Sequence, residues 1–372
     1  MELAALMGLR PEPAAGLLMM LTRRCPLRCA HCSTDSTMSA GGPDPGRLLG
    51  FVDSFTPGDR PEVLMMTGGE PLLMPELSAE LAVRARRAGT RSALLTGAFF
   101  ARGAAGRPRR ARAVIPARIR RAIGAVDHLS VSVDAFHERE VARADVFRVV
   151  HEVLDSGTSV SLHVVGTDAR DPYLADVTTA VREAFDDRVP MLVNTVRAVG
   201  RAAGPPGARV AGPAPVDPLR SGPCSMAAWP VVAADGTVVA CCNQDVVDRR
   251  PVPAHLLLGH VAEDGWAAVR GRTLASPVLR SVRTGGPLRL LARHGGPEAR
   301  SAGGAGYCAG CRTLSEHPEA IEGATRVASG AAGALLDRRA ARRRREAGPV
   351  EYVRRHGCAA FAELVALPGT AP

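Results

Sequence analysis

The chain has 372 residues, 46% of them hydrophobic, enough for a sizeable core arranged as one large domain with an appendage or as two domains. Its formal net charge of +10 favours anionic partners, but aromatics make up only 3%, which disfavours the base-stacking platforms of nucleic-acid binders. No stretch is apolar enough to span a bilayer and no secretory signal is legible, so no membrane association is expected and the location is expected to be cytoplasmic.

From Gly16 to about Arg201, short apolar runs alternate with amphipathic stretches. The strand candidates are Gly16–Thr22, Val63–Thr67, Ser92–Thr96, His128–Asp134, Val160–Thr167 and Met191–Val196. Continuous apolar runs of this kind suit strands buried on both faces of a parallel sheet. Pro75 can open a helix anchored by Leu77 and Leu81, with Gly89 as its stop. Val146, Val149, Val150 and Val153 form the stripe of a second helix, with Gly157 as its stop, and Leu174, Val177, Val181 and Phe185 mark a third. Repeated strand–helix alternation with right-handed crossovers gives a parallel α/β sheet, open or curved into part of a barrel.

Gly200 to Gly222 is rich in Gly, Pro and Ala and reads as a linker. A second unit follows, with a hairpin signal in Trp229–Ala233, Ala234-Asp235-Gly236 and Thr237–Cys241. Pro230 should start the first of these strands or put it at an edge. After Leu314 the chain is helical and Arg-rich. Arg338–Arg345 reads as a solvated helix, with Arg107–Arg121 as a second basic stretch.

Nine cysteines in a reducing compartment read as metal ligands or catalytic thiols rather than disulfides. Cys25, Cys29 and Cys32 have the spacing C-x3-C-x2-C, in the loop after the first strand, where parallel α/β folds place their chemistry. Three thiolates can hold three corners of a [4Fe–4S] cube and leave the fourth iron open to a small molecule. The alternative is structural zinc, which wants a closed set of four ligands, and His31 is poorly placed beside Cys32 to join one metal.

The loop Cys25-Pro26-Leu27-Arg28-Cys29-Ala30-His31-Cys32 resembles the defining motif of the radical S-adenosylmethionine (radical SAM) superfamily, with His31 where an aromatic residue usually packs near the adenine. The resemblance implies a partial (β/α)6 barrel holding a site-differentiated [4Fe–4S] cluster and S-adenosylmethionine. Gly68-Gly69-Glu70-Pro71, after the second strand, resembles the family motif that binds the methionine amino group, with two glycines for close backbone approach and Glu70 as acceptor. Leu95-Thr96-Gly97 resembles a shortened Thr-Asn-Gly turn. In Ser130-Val131-Ser132-Val133-Asp134, alternation puts the polar residues on one face. The resemblance implies that Ser132 and Asp134 lie near the ribose and the methionine carboxylate. His137 either faces the ligand or caps the next helix, and Arg201, in a Gly-Arg-Ala turn, either pairs with a carboxylate or is solvated.

Cys224, Cys241 and the pair Cys308 and Cys311 form a second constellation whose geometry allows zinc or iron–sulfur. On its own it favours zinc. Beside a radical SAM barrel it resembles twitch, the short relative of the SPASM appendage, which implies a second auxiliary [4Fe–4S] cluster with all irons ligated. Cys242, next to Cys241, is a candidate hydrogen-atom donor or a buried free thiol, and Asp245 a candidate base.

The expected architecture is therefore a radical SAM partial barrel over residues 1–202, a linker at 203–222, a small C-terminal twitch-like auxiliary iron–sulfur domain at 223–314 and a basic helical tail at 315–372. The expected activity is reductive cleavage of S-adenosylmethionine and hydrogen abstraction from a peptide or a sugar or aminocyclitol natural product, with a flavodoxin or ferredoxin as electron donor. The 24 residues before Cys25 leave no room for a fused leader-binding domain, so a separate leader-peptide-binding protein is the expected helper. Alternatives are an epimerase using Cys242, a zinc-stabilised nucleic-acid-binding protein, or a degenerate scaffold without turnover.

Overall fold

The structure, a computed structural model, describes residues 1–104, 106, 114–204, 217–296 and 306–368. Most of the expected linker and part of the Arg107–Arg121 stretch lie outside these residues.

Six strands pair in parallel: β1 (Gly16–Met20), β2 (Val63–Thr67), β3 (Arg91–Thr96), β4 (His128–Ser132), β5 (Val160–Gly166) and β6 (Met191–Thr195). They lie in sequence order across the sheet, as expected of repeated right-handed crossovers. This is the parallel α/β architecture that the alternation of apolar runs and amphipathic stretches predicts. Helices α1 (Leu3–Leu9), α2 (Pro45–Asp53), α3 (Pro75–Arg87), α4 (Ala117–Ala125), α5 (Arg143–Asp155) and α6 (Pro172–Phe185) precede or connect the strands. The stripe Val146, Val149, Val150 and Val153 of α5 and the stripe Leu174, Val177 and Val181 of α6 are buried in one core with Leu129, Leu162 and Val193 from the sheet. β2 and β3 end where expected, whereas β1, β4, β5 and β6 end one or two residues early. Asp134 lies beyond β4, in the turn that follows it.

The hairpin is part of the same sheet. β7 (Val231–Val232) runs parallel to β1, with Leu18 opposite Val231 and Met19 opposite Val232, and pairs antiparallel with β8 (Thr237–Val239). β9 (Leu257–His260) follows beside β8. The sheet thus reads β6-β5-β4-β3-β2-β1-β7-β8-β9. Pro230 stands just before β7, as its missing N–H requires, but β7 is interior rather than at an edge, and the Pro230 carbonyl accepts from Leu18 N at 3.0 Å.

The Arg-rich helix is solvated on its arginine face, as expected, but its opposite face is packed. In the helix Gly330–Glu346, Gly333, Asp337 and Ala341 face inward at a helical repeat. Asp337 pairs with the equally buried Arg283 at 2.6 Å, and Arg283 also donates to the carbonyls of Thr273 and Ala227. The next helix, Gly348–His356, packs with α1, and Cys358 N donates to Val193 O at 2.9 Å along the edge of β6. Among the described residues no helix is long and apolar enough to cross a membrane.

Candidate functional site

The cysteine loop leaves the C-terminal end of β1 and is fixed by its neighbours. Gly69 N donates to Thr22 O at 2.6 Å and Glu70 N to Arg24 O at 2.8 Å, so the Gly-Gly-Glu-Pro turn lies against the chain entering the loop. A Cβ on Gly68 or Gly69 would run into the Thr22 or Arg24 carbonyl. These glycines permit close approach of the turn to the protein's own backbone. Pro71 follows as the first residue of a buried turn.

On the opposite side the loop is held from β6. Gly200 has φ +57°, a left-handed value, and a Cβ there would meet the Ser33 and Cys32 carbonyls. This brings Arg201 against the loop. Its backbone N–H donates to Cys32 O, and its guanidinium donates to Cys29 O at 2.8 Å and Ser36 O at 2.7 Å and pairs with Asp35 at 3.0 Å.

Glu70 is fully buried, and its carboxylate accepts from Leu72 N, Thr96 Oγ1 and Gly97 N at 2.9–3.0 Å. Burial pushes it up to about 7 against the pull of those donors. Thr96 thus positions Glu70. A Cβ placed on Gly97 would lie 2.6 Å from Leu27 Cδ1 and 3.7 Å from both Glu70 Oε2 and His137 Cδ2. The cysteine loop, the Glu70 turn and the turn after β4 therefore converge at one point, above the C-terminal strand ends.

Asp134 is buried and fully occupied. It accepts from the N–H groups of Phe136 and His137, from His137 Nδ1 at 2.8 Å, and lies 3.5 Å from His31 Nε2. His31 stacks on Phe136 with ring centroids 4.6 Å apart. Burial opposes a charged His137, but hydrogen bonds to Asp134 and Cys29 outweigh it and lift the imidazole to about 10. Asp134 therefore acts on the site through His31 and His137. Ser132 is half-buried and sits opposite His163 of β5. His163, whose Nε2 is 2.8 Å from Asn194 Nδ2, is held down to about 4 by burial. The sequence analysis missed it; a lone histidine between Leu162 and Val164 was the available signal.

The second constellation is also assembled. Cys224 N donates to Val282 O, and Tyr307 Oη to Gly222 O, which ties the Cys308–Cys311 helix to the Cys224 segment. Arg312 pairs with Asp245 at 3.0 Å and ties it to the Cys241 segment. Asp245 is exposed and occupied by that pair, rather than poised as a base. Burial first, then neighbouring thiols, pushes Cys224 up to about 11 and raises Cys241 and Cys311 well above the ordinary thiol range. Arg23, two residues before Cys25, pairs with Asp248 at 2.8 Å and links the two constellations.

Among the described residues, no three cysteine sulfurs are drawn together as a single zinc would need. A zinc held tetrahedrally at about 2.3 Å brings its sulfurs to about 3.8 Å from one another. Among the described residues only His31, Asp134 and His137 bring three such ligand atoms within 4.8 Å. Cys241 packs on the main core, as does Cys25, whereas Cys242 packs with Leu18 and Val252 against Met20, Val231 and Val247. The two adjacent thiols pack on different apolar clusters, yet Cys242 lies within electrostatic reach of both Cys241 and Cys224.

Residues 19–176 match the family model described as the radical SAM superfamily. None of the curated protein sequences matches the chain. Among solved structures the chain is similar to native anSMEcpe with bound AdoMet and Cp18Cys peptide, at 12% identity and a TM-score of 0.49, over 83% of this chain and 98% of that one. It is similar to SuiB of Streptococcus suis bound to S-adenosylmethionine, at 10% identity and a TM-score of 0.48, over 76% of this chain and 75% of that one. The likeness to SuiB bound to its precursor peptide SuiA is 11% identity and a TM-score of 0.49, over 83% and 74%.

Proposed function

We propose that the protein is a radical SAM oxidoreductase or maturase with a twitch-like auxiliary centre, acting on a peptide or sugar-type natural product; the match of residues 19–176 to the radical SAM family model supports this reading. The observation that supports this best is the convergence of Cys25, Cys29 and Cys32 with the buried carboxylate of Glu70 at the strand ends. Cys25, Cys29 and Cys32 would hold a site-differentiated [4Fe–4S] cluster, and Cys224, Cys241, Cys308 and Cys311 an auxiliary one. When bound with S-adenosylmethionine and reduced by a flavodoxin or ferredoxin, the first cluster supplies one-electron cleavage and a radical able to remove hydrogen from an unactivated C–H bond.

The chain's own residues bind and orient. Glu70, held by Thr96 and Gly97, presents a carboxylate to the methionine ammonium, with Gly68, Gly69 and Pro71 shaping its turn. His31, stacked on Phe136, would offer a flat face to the adenine, and Ser132, the last residue of β4, would serve the ribose. Asp134 keeps His137 protonated next to Cys29. The proposed reaction is oxidation of the substrate, by dehydrogenation or cross-linking, with return of a hydrogen atom from Cys242 as its alternative.

Anaerobic reconstitution tests the reading. About eight irons per chain are expected for two cubes, with about half lost when Cys25, Cys29 and Cys32 are replaced by Ala. Dithionite and S-adenosylmethionine should then yield 5′-deoxyadenosine and methionine. Tightly bound zinc without iron–sulfur absorbance overturns it.

A further inference from the structure

The helix Gly330–Glu346 carries a row of cations that the chain does not neutralise. Residues three or four apart share a helix face, so Arg338, Arg342 and Arg345 form one row and Arg339 and Arg343 the next. With Glu12 they line a groove of about 1100 Å³. Through Arg343 the groove joins a cavity of about 210 Å³ walled by Arg344, Tyr352, Arg355 and His356.

Acids do not balance this surface. Glu346 is engaged by Arg342 at 2.8 Å and Glu351 by Arg354 at 2.9 Å. Among the described residues Arg338, Arg339, Arg343 and Arg355 enter no ion pair. The exposed rows alone would be an ordinary solvated face. At the inner end Arg344 is half-buried, while Arg343 and Arg355 are exposed. Arg10, only 8% exposed, lies 4.4 Å from the Trp229 ring centroid behind Tyr352, and its Nη1 has no hydrogen-bond partner. Burial first, then Arg355, Arg344, Arg197 and Arg10, holds His356 down to about 4. The guanidinium groups of Arg343, Arg344 and Arg355 thus line one cavity whose carboxylate, Glu351, is already paired with Arg354, an arrangement that favours an incoming anion.

The shape of the track selects the anion. A single phosphate would use only the cavity. An extended acidic peptide offers a side chain on the same face every ~7 Å and can meet successive arginines with bidentate carboxylate bonds. Single-stranded nucleic acid would need exposed aromatics for its bases, and Tyr352, the aromatic in these walls, is buried. The cavity also borders the auxiliary cysteines, since Arg344 feels the charge of Cys224, and Tyr352 that of Cys242 and Cys224.

We infer that this track binds an acidic segment of a peptide substrate and leads the adjoining residues toward the cysteine-lined centre. That the bound peptide is a substrate rests on the radical SAM reading; the binding itself does not.

The test uses the reconstituted full chain and a labelled oligoglutamate peptide, read by fluorescence anisotropy. Arg339 and Arg343 are exposed, so Arg339→Glu/Arg343→Glu leaves the core untouched. It should weaken binding by more than about tenfold, whereas the same charge change in Arg87→Glu/Arg121→Glu, on α3 and α4, should leave it within about twofold. Equal affinity in wild type and track variant overturns the inference, as does equal loss in both variants, which would mark a general charge effect. Tighter binding of an oligothymidylate of matched charge would assign the track to nucleic acid instead. S-adenosylmethionine binding by the same wild-type preparation separates the two readings: its failure with peptide binding intact indicts the radical SAM reading and leaves the track standing.

Discussion

Arg201 Nη1 donates to the Cys29 carbonyl at 2.8 Å, across 172 residues of chain. With its bonds to Ser36 and Asp35, one guanidinium holds the cysteine loop from the far edge of the sheet. A lysine cannot reproduce that fork. Arg201→Lys should make iron at Cys25, Cys29 and Cys32 about tenfold more labile to chelation, the scale of lost outer contacts at metal sites. The auxiliary iron should be unaffected, and iron release with electron paramagnetic resonance of each cluster checks this. Equal lability of both clusters would count against a local role for Arg201.

Glu70→Gln removes the charge but keeps the size. If the carboxylate receives the methionine ammonium, S-adenosylmethionine should bind about tenfold more weakly or worse, as expected for a lost charge-assisted hydrogen bond. Isothermal titration under anaerobic conditions measures this, and unchanged affinity would remove Glu70 from the site.

Asp337→Ala leaves Arg283 buried without its partner, and stability should fall by about 3–5 kcal/mol. Arg283→Met/Asp337→Leu removes both charges and should recover most of the loss. Chemical denaturation of the three proteins measures the difference; a mild single variant would mean that water reaches the pair.

His128 is buried, with Nδ1 2.8 Å from the Met1 carbonyl and Nε2 2.8 Å from Ser161 Oγ. Burial holds it down to about 4, against 6.5 for an ordinary histidine. The unfolded chain then takes up the proton first, so its contribution is fully present above pH 6.5 and declines as pH falls toward 4, by roughly 3 kcal/mol in all. His128→Gln should flatten stability between pH 7.5 and pH 5 relative to wild type. Parallel denaturation curves across that range for both proteins would refute it.

Cys242→Ala should cost about 1 kcal/mol of packing and leave both 5′-deoxyadenosine and product formation near wild type. Turnover in deuterated water should put no deuterium on the product carbon. Deuterium at an inverted centre, lost with Cys242, would instead establish an epimerase.

Much of this was legible in the sequence. The parallel strands announce themselves as continuous apolar runs, because both faces are covered, and the cysteine loop and the Glu70 turn sit where such strands end. Long-range partnerships were not legible. Nothing local says that Val231 and Val232 pair with Leu18 and Met19, since β7 has only two residues and no pattern of its own. The arginine run hid its own anchor. Gly333, Asp337 and Ala341 recur every four residues, a stripe of small residues around one acid that marks a buried face, but the surrounding charge masks it.

The hairpin's place in the sheet also fixes a distance. Cys25 follows β1 and Cys241 follows β8, and β7 joins those strands through ladder hydrogen bonds. An appendage on a free linker could swing, and electron tunnelling between its centre and the barrel would then vary steeply with each excursion. Here separation requires breaking the sheet, so the gap between the two thiol sets is kept by the same bonds that hold the strands, and amide exchange at β7 should be as slow as in the barrel itself.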